Sequence, residues 1–158
     1  MSEADKKFIR RAIELAQNGI DSNAGGPFGA VVVRDGVIIS EGWNEVTSLN
    51  DPTAHAEVVA IRKACAALNS FQLDGCILYS SCEPCPMCLG AIYWARPDKL
   101  IFAGTREDAA AAGFDDQFIY NEISRETSDR SIKTENLLRV EAQKVFANWQ
   151  EKTDKIKY

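Results

Sequence analysis

The only histidine of the chain, His55, stands two residues before Glu57, and Cys85 and Cys88 follow about thirty residues later. Imidazole nitrogen and thiolate sulfur in tetrahedral geometry suit zinc better than the hard cations magnesium and calcium. One histidine and two cysteines are three protein ligands, which leaves a fourth position for water. Such an open position is typical of a catalytic zinc, which brings its water to a pKa of about 7. The residues therefore predict one Zn²⁺ per chain, with Glu57 accepting the proton of that water.

Both halves of this predicted site stand where helices should begin. A helical pattern, "AHAEVVAIRKACAAL", follows Asp51 and Thr53, either of which could cap it. A second, "PMCLGAIYWAR", opens with Pro86, whose missing N–H costs nothing in a first turn. Residues two apart diverge on the flank of a helix, so His55 and Glu57 can share a site only beyond the helix end. We therefore expect two helix N-termini to face each other across the metal.

A third cysteine leaves an alternative open. Cys82 and Cys85 have the same spacing as Cys85 and Cys88, so Cys82 could supply a fourth ligand and close the site. The protein would then be a structural zinc module without turnover, and Glu57 would be merely structural. Cys65 and Cys76 are expected in the core and are assigned no chemistry.

The elements around the site alternate between strands and helices. Apolar residues from Phe8 to Ala16 recur at helical spacing, and Gly19 follows as a stop signal. Four segments are predicted as strands, the first two joined by a hairpin at Asp35-Gly36: "FGAVVV", "VIISEGW", "CILYSS" and "KLIFAGT". The segment "EDAAAAGFDDQFIYNEI" predicts a broken helix, and a stripe predicts a final one: Leu138, Ala142, Val145 and Trp149. This order predicts an α/β fold with a mixed sheet between helices.

Composition limits the classes of function. The chain has 158 residues, of which 46% are hydrophobic and 26% charged, and it predicts one domain over residues 1–158. Its 23 acidic against 18 basic residues give a net charge of −5, so a nucleic-acid partner is not expected. No apolar run is long enough to cross a bilayer, and the charged N-terminus does not resemble a secretory signal. We therefore expect a cytoplasmic protein without a membrane partner.

The two halves of the site together form a recognised signature. His55-Ala56-Glu57 followed by Pro84-Cys85-Pro86-Met87-Cys88 matches the H-x-E and P-C-x-x-C pattern of zinc nucleobase deaminases. Either half alone would be weak, because a single histidine or a lone C-x-x-C is common. The pair in this order, each half at a predicted helix start, is specific.

Nearly the whole chain, from about Phe8 to Tyr158, resembles the bacterial guanine deaminases of the cytidine deaminase-like superfamily. The resemblance lies in "GGPFGAVVV", "DPTAHAEVVAIRKAC", "SCEPCPMCLGAIYWAR" and "AGFDDQFIY". It implies a three-layer α/β/α fold with a five-stranded mixed sheet and hydrolysis of guanine to xanthine and ammonia. It also implies a homodimer, in which a domain-swapped C-terminal segment, about 136–158, contacts the partner subunit.

The resemblance further assigns five substrate contacts. Asn44 would hydrogen-bond the purine, and Phe28 and Trp94 would line its pocket. Asp116 would bind a substrate nitrogen, and Tyr158 would reach the active site of the neighbouring subunit. Without the resemblance, the two aromatic residues could be core residues, Asn44 a turn residue and Asp115 or Asp116 a helix cap.

Related substrates remain open at this stage. Small changes of the pocket would decide whether the substrate is guanine, guanosine, another aminated purine or a triazine such as ammeline. A tRNA adenosine deaminase shares the metal site but must hold a polyanion, which the acidic composition and the absence of a basic face disfavour.

Overall fold

The computed structural model describes residues 2–158, and its first sheet element is the predicted hairpin. Asp35 and Gly36 have φ angles of 51° and 75°, and a two-residue turn with both residues in the left-handed region matches the twist of the flanking strands. The strands are β1 (Gly29–Arg34), β2 (Val37–Trp43), β3 (Cys76–Cys82) and β4 (Lys99–Gly104). The helices are α1 (Glu3–Asp21), α2 (Val46–Leu49), α3 (Ala56–Leu68), α4 (Pro86–Ala95), α5 (Arg106–Ala111), α6 (Gln117–Ser124) and α7 (Arg139–Glu151).

The strands form one mixed sheet in the order β2-β1-β3-β4. β1 is antiparallel to both β2 and β3, whereas β3 and β4 are parallel. α4 connects the two parallel strands, which need a crossover because a tight turn cannot join them. The predicted α/β fold with a mixed sheet flanked by helices is confirmed.

The expected fifth strand is wrong for the described residues, in which the sheet has four strands. That strand came only from the family resemblance, since the sequence pattern itself indicates four. After β4 the chain turns into helix, because Thr105 and Asp108 form a capping box that starts α5. The domain swap implied by the same resemblance stays a prediction.

Each face of the sheet is covered by one long helix. α1 contributes Phe8 and Leu15 to an apolar cluster with Val31 and Tyr79 on one face. The opposite face packs against α3 in a second cluster, whose fully buried members on α3 are Ala56, Ala60 and Ala64. A Cβ added to Gly42 of β2 would lie 2.6 Å from the carbonyl oxygen of Ala56. The first turn of α3 therefore lies almost in contact with the sheet, which fixes the place of the residues just before it.

Two expected helix boundaries are wrong for physical reasons. Gly19 does not stop α1 but lies inside it, where an added Cβ would be 3.3 Å from the Cβ of Trp43, so the glycine permits close packing. α1 ends two residues later, and Asn23 adopts the left-handed conformation with φ 55°. Neither Asp51 nor Thr53 caps α3. Asp51 Oδ1 instead accepts hydrogen bonds from the backbone and hydroxyl of Thr53, and His55 is the N-cap.

The described chain divides into two compact units, one up to Asp116 and the other Gln117–Tyr158. The second unit contains α6, a 3₁₀ turn (Thr127–Asp129) and α7. The predicted broken helix is confirmed as α5 and α6, and the final predicted helix as α7. Inside the second unit, the carboxylate of Glu122 accepts hydrogen bonds from the backbone and hydroxyl of Ser131. The single domain over 1–158 stays a prediction. Among residues 2–158, no helix combines the length and hydropathy needed to span a bilayer.

Candidate active site

The residue just before each of two helices supplies a side chain to the site. His55 is the N-cap of α3 and Cys85 the N-cap of α4, and both have extended backbone conformations with ψ angles of 152° and 169°. Neither side chain bonds to the backbone of its own helix, as an ordinary capping residue would. Pro86 occupies the first turn of α4, as predicted. Both side chains therefore extend beyond their helix ends, where they are available to a metal.

The three predicted ligands lie together. His55 Nδ1 is 3.6 Å from Cys85 Sγ and 3.5 Å from Cys88 Sγ, and the three ligand atoms all lie within 4.8 Å of one another. Zinc–sulfur and zinc–nitrogen bonds of about 2.3 and 2.0–2.1 Å at a tetrahedral angle separate N and S by about 3.6 Å. In residues 2–158 this is the one group of three or more His, Cys, Asp or Glu side chains that could hold a metal ion. The donor atoms and their spacing thus fit zinc.

Cys82 does not join this cluster. Its side chain is buried, and its thiol contacts the carbonyl oxygen of Thr105, at an Sγ–O distance of 3.4 Å. Burial raises the pKa of the Cys82 thiol to about 11, and its sulfur does not belong to the group of ligand atoms formed by His55, Cys85 and Cys88. The described site therefore offers three protein ligands rather than four, which is the arrangement of a catalytic zinc.

The pKa values of the two predicted ligand cysteines are shifted in opposite directions. The hydrogen bond from Cys88, together with the contact with His55, lowers the pKa of Cys85 to about 4. The hydrogen bond with Cys85, together with burial, raises the pKa of Cys88. The hydrogen bond with Cys85 also raises the pKa of His55. Zinc takes both cysteines as thiolates and the histidine as a neutral imidazole, so zinc binding releases protons from this cluster.

Glu57 lies in the first turn of α3 with its carboxyl group buried, at 5% exposure. Burial raises the pKa of this carboxyl, while hydrogen bonds from its own backbone N–H, from Cys88 and from Ser80 oppose the shift. A buried carboxyl that contacts the Cys88 ligand, with a pKa raised above that of an ordinary glutamate, suits a general acid and base. This geometry is consistent with the predicted role of Glu57.

Phe28 and Asn44 lie in two loops that are bonded to each other. The backbone N–H of Asn44 donates to the carbonyl oxygen of Phe28 at 3.0 Å. Asn44 Oδ1 accepts hydrogen bonds from the backbone of Gly26 and Val46, at 3.1 and 3.2 Å. A Cβ on Gly25 would lie 2.2 Å from this oxygen, so the glycine lets the chain wrap around the amide. The Asn44 side chain is buried and oriented, with its oxygen already engaged.

The remaining predicted contacts differ in their surroundings. Burial raises the pKa of Asp116, and the negative charge of Cys85 raises it further, which places this carboxyl within electrostatic reach of the metal cluster. Trp94 lies on α4 and is 65% exposed. Tyr158 belongs to the second compact unit and is 69% exposed. Both aromatic side chains are exposed, and their contacts with the substrate stay predictions.

Two residues near the site escaped the sequence analysis. The hydroxyl of Ser80 in β3 donates to Glu57 Oε1 at 3.1 Å, and Phe114 packs edge-on against Phe28 with ring centroids 5.0 Å apart. For Ser80 the sequence does offer a signal. Cys76, Leu78 and Ser80 are every second residue of the same predicted strand, and Ser80 alone of the three carries a hydroxyl. For Phe114 the sequence offers no signal beyond its place in "GFDD".

The fold and the cluster together define a zinc-binding deaminase domain, in which three ligands adjoin a buried glutamate. The family profile described as the cytidine and deoxycytidylate deaminase zinc-binding region matches residues 2–104. A guanine deaminase of Bacillus subtilis is 58% identical over 150 residues, which cover 91% of this chain and 96% of that protein. A tRNA-specific adenosine deaminase of Haemophilus influenzae is 41% identical, covering 71% of this chain and 65% of the relative.

Solved structures agree with these relatives. The crystal structure of the Bacillus subtilis guanine deaminase has a TM-score of 0.94 at 55% identity, over 97% of this chain and 98% of that chain. A guanine deaminase of Nitrosomonas europaea has a TM-score of 0.66 at 36% identity, over 69% and 63% of the two chains. The chain therefore belongs to the zinc-binding cytidine and deoxycytidylate deaminase family, in the branch that contains the bacterial guanine deaminases.

Proposed function

We propose that the protein hydrolyses guanine to xanthine and ammonia. The observation that carries the reaction type is the buried carboxyl of Glu57 in contact with Cys88, one of three side chains that together could hold a zinc ion. The choice of guanine is supported by the 58% identity to the Bacillus subtilis guanine deaminase over nearly the whole chain.

In this reaction a water oxygen adds to C2 of guanine and the exocyclic amine leaves as ammonia. His55, Cys85 and Cys88 would hold the zinc, which would supply the Lewis acidity that makes water nucleophilic at neutral pH. Glu57 takes a proton from the attacking water and delivers it to ring N3. It then takes the remaining proton of the new C2 hydroxyl and passes it to the amine, so that the C2–N bond breaks as the C2 carbonyl forms. One water is consumed for each ammonia released, and Glu57 returns to its starting ionisation state.

Recognition of the base falls to the residues around the cluster. The Asp116 carboxylate accepts hydrogen bonds from the N–H donors on the amidine edge of guanine. Since the oxygen of Asn44 is already engaged, its amide nitrogen is the group that donates to an acceptor on the ring. Phe28 and Trp94 offer aromatic surfaces to a flat purine.

A panel of substrates tests this function. The zinc-loaded protein is incubated with guanine, guanosine, adenine, cytosine and cytidine, and ammonia is measured. We expect release from guanine at a kcat/KM at least about tenfold above adenine, cytosine and cytidine, because a site that hydrogen-bonds a polar edge rejects analogues lacking it. Guanosine keeps the amidine edge of guanine, so its rate tests whether the pocket accepts a sugar on the purine. Release from adenine or cytosine without release from guanine would contradict the choice of base and leave the deaminase class intact.

A second candidate, deamination of adenosine in tRNA, is favoured only by the relatives named for that activity, such as the one from Haemophilus influenzae. The net charge of −5 opposes it, because binding a polyanion requires a compensating basic surface. An anticodon stem-loop RNA added to the panel decides the point, and inosine formation would support the second candidate.

We infer that the protein is a homodimer in which residues 136–158 contact the partner subunit. Apolar side chains along α7 are exposed, from 42% for Trp149 to 69% for Phe146. Exposed apolar side chains along one helix are typical of a surface that another chain covers. In this arrangement Tyr158 closes the active site of the partner.

A cytoplasmic location agrees with the free thiols of all five cysteines, because disulfides belong to oxidising compartments.

Mixing two impaired variants tests whether Tyr158 acts on the partner. In a mixed dimer of Glu57→Gln and Tyr158→Ala chains, the site with intact Glu57 would receive the intact Tyr158 of the other chain. Random reassembly makes about half of the dimers mixed, each with one complete site, so activity should rise to about a quarter of wild type. A mixture of Glu57→Gln with the double variant serves as the control and should stay inactive. No gain over the separate variants would show that Tyr158 does not act in trans.

A further inference from the structure

Ser80 is a serine in β3 whose neighbours on the same face of the sheet are apolar. It is 1% exposed and pairs across the sheet with Ala30, and Leu78 precedes it on the same face. A buried hydroxyl without a hydrogen bond is unfavourable, so its partner matters. That partner is Glu57, whose Oε1 lies 3.1 Å from Ser80 Oγ.

The hydrogen bond connects the central sheet to a side chain of α3 across the buried layer between them. An ionised carboxylate can only accept, so the serine hydroxyl is the donor. The last torsion of a glutamate side chain has broad minima and is not fixed by its rotamer alone. The carboxylate also accepts from its own backbone N–H in α3 and from Cys88 in α4, and Ser80 is the donor that ties it to the sheet. The bond to Oε1 restricts that torsion and leaves Oε2 as the oxygen that is not bonded to Ser80.

We propose that Ser80 is a positioning residue for deamination, holding Oε1 of Glu57 so that Oε2 transfers the proton between water and the purine ring. The proposal rests on the proposed function, in which Glu57 is the proton carrier. Without the Ser80 hydroxyl, the carboxyl of Glu57 would sample orientations in which neither of its oxygens faces both the water and the purine ring. Misplacement of a catalytic group by about 1 Å is enough to cost about a hundredfold in rate.

A second buried serine provides a matched control. Ser40 of β2 is 7% exposed, and its hydroxyl donates to the carbonyl oxygen of Ala60 at 2.7 Å. It thus ties the same helix, α3, to the same sheet without touching Glu57. If Ser80 served only to anchor α3, removing either hydroxyl should have the same consequences.

The experiment compares Ser80→Ala, Ser40→Ala and Ser80→Thr with wild type for kcat, KM, bound zinc and melting temperature. Loss of a hydrogen bond to a charged group predicts that Ser80→Ala lowers kcat by about ten- to a hundredfold, with KM within about twofold and zinc retained. Ser40→Ala should lower the melting temperature but keep kcat within about twofold, because the bond it removes does not reach the carboxylate. Ser80→Thr keeps the hydroxyl and should restore most of kcat.

A kcat for Ser80→Ala equal to that of Ser40→Ala would overturn the proposal, as would a loss of zinc that accounts for the whole effect. If the extra methyl of Ser80→Thr prevents folding, Ser80→Cys takes its place, and its weaker donor should give a kcat between alanine and wild type. The variants are assayed on whichever base of the panel wild type deaminates, so a failure of guanine as substrate is separate from a failure of Ser80. A wild type that deaminates none of the bases would overturn both.

Discussion

Replacement of Glu57 by glutamine is expected to reduce turnover by about 10³-fold or more while leaving zinc bound. Glutamine has nearly the shape of glutamate and keeps an oxygen that can accept from Ser80, so the buried site should stay packed. It cannot carry a proton, and general acid and base catalysis by one positioned group contributes about 10²–10⁴-fold. The measurements are kcat on guanine and zinc content per chain.

The control for this change is Glu14→Gln, on the exposed side of α1. Glu14 pairs with Arg11 at 2.8 Å and is far more exposed than Glu57, so the substitution should leave kcat and zinc content unchanged. If Glu57→Gln retained near-normal turnover with a full complement of zinc, another group would have to move the proton. If it lost zinc instead, Glu57 would be supporting the metal site and the loss of activity would say nothing about proton transfer.

The sequence predicts which residues form the metal cluster, because their positions depend on where the two helices begin. A residue before a helix has an extended backbone, and an N-cap histidine and an N-cap cysteine that do not cap their own helices can extend to a common point. The strands were equally visible, because each is a short β-branched or apolar run ended by turn residues. These features depend on neighbours within a few positions of each other in the chain.

One error comes from a competing local turn, and the others come from contacts between residues distant in sequence. Asp51 was a reasonable cap for α3, but its carboxylate bonds to Thr53 in a local turn, and the helix begins later, next to the metal cluster. Gly19 was a reasonable stop for α1, but Trp43 of β2 packs where its side chain would be. The bond from Ser80 to Glu57 depends on how α3 crosses β3, 23 positions away, which no spacing rule encodes.

Removal of either ligand thiol is expected to abolish zinc binding and to lower turnover by about 10³-fold or more. Cys85→Ala and Cys88→Ala each leave two ligands, too few to hold zinc in a site that is otherwise open to water. Cys82→Ala is the matched control from the same segment. Its thiol contacts Thr105 rather than the cluster, so zinc content should stay at one per chain. Zinc content is measured on the purified chains together with kcat and melting temperature.

The same variants separate a catalytic zinc from a structural one. Structural zinc in small modules contributes about 10–16 kcal/mol of apparent binding free energy, so its loss unfolds them. Here each face of the sheet has its own apolar cluster, and neither includes His55, Cys85 or Cys88. Cys85→Ala, and wild type treated with a chelator, should therefore keep a cooperative melting transition, and zinc should restore activity only to the chelated wild type. If Cys85→Ala and the chelated wild type both lost the melting transition while Cys82→Ala kept it, the zinc would be structural. Glu57 would then have no zinc-bound water to deprotonate.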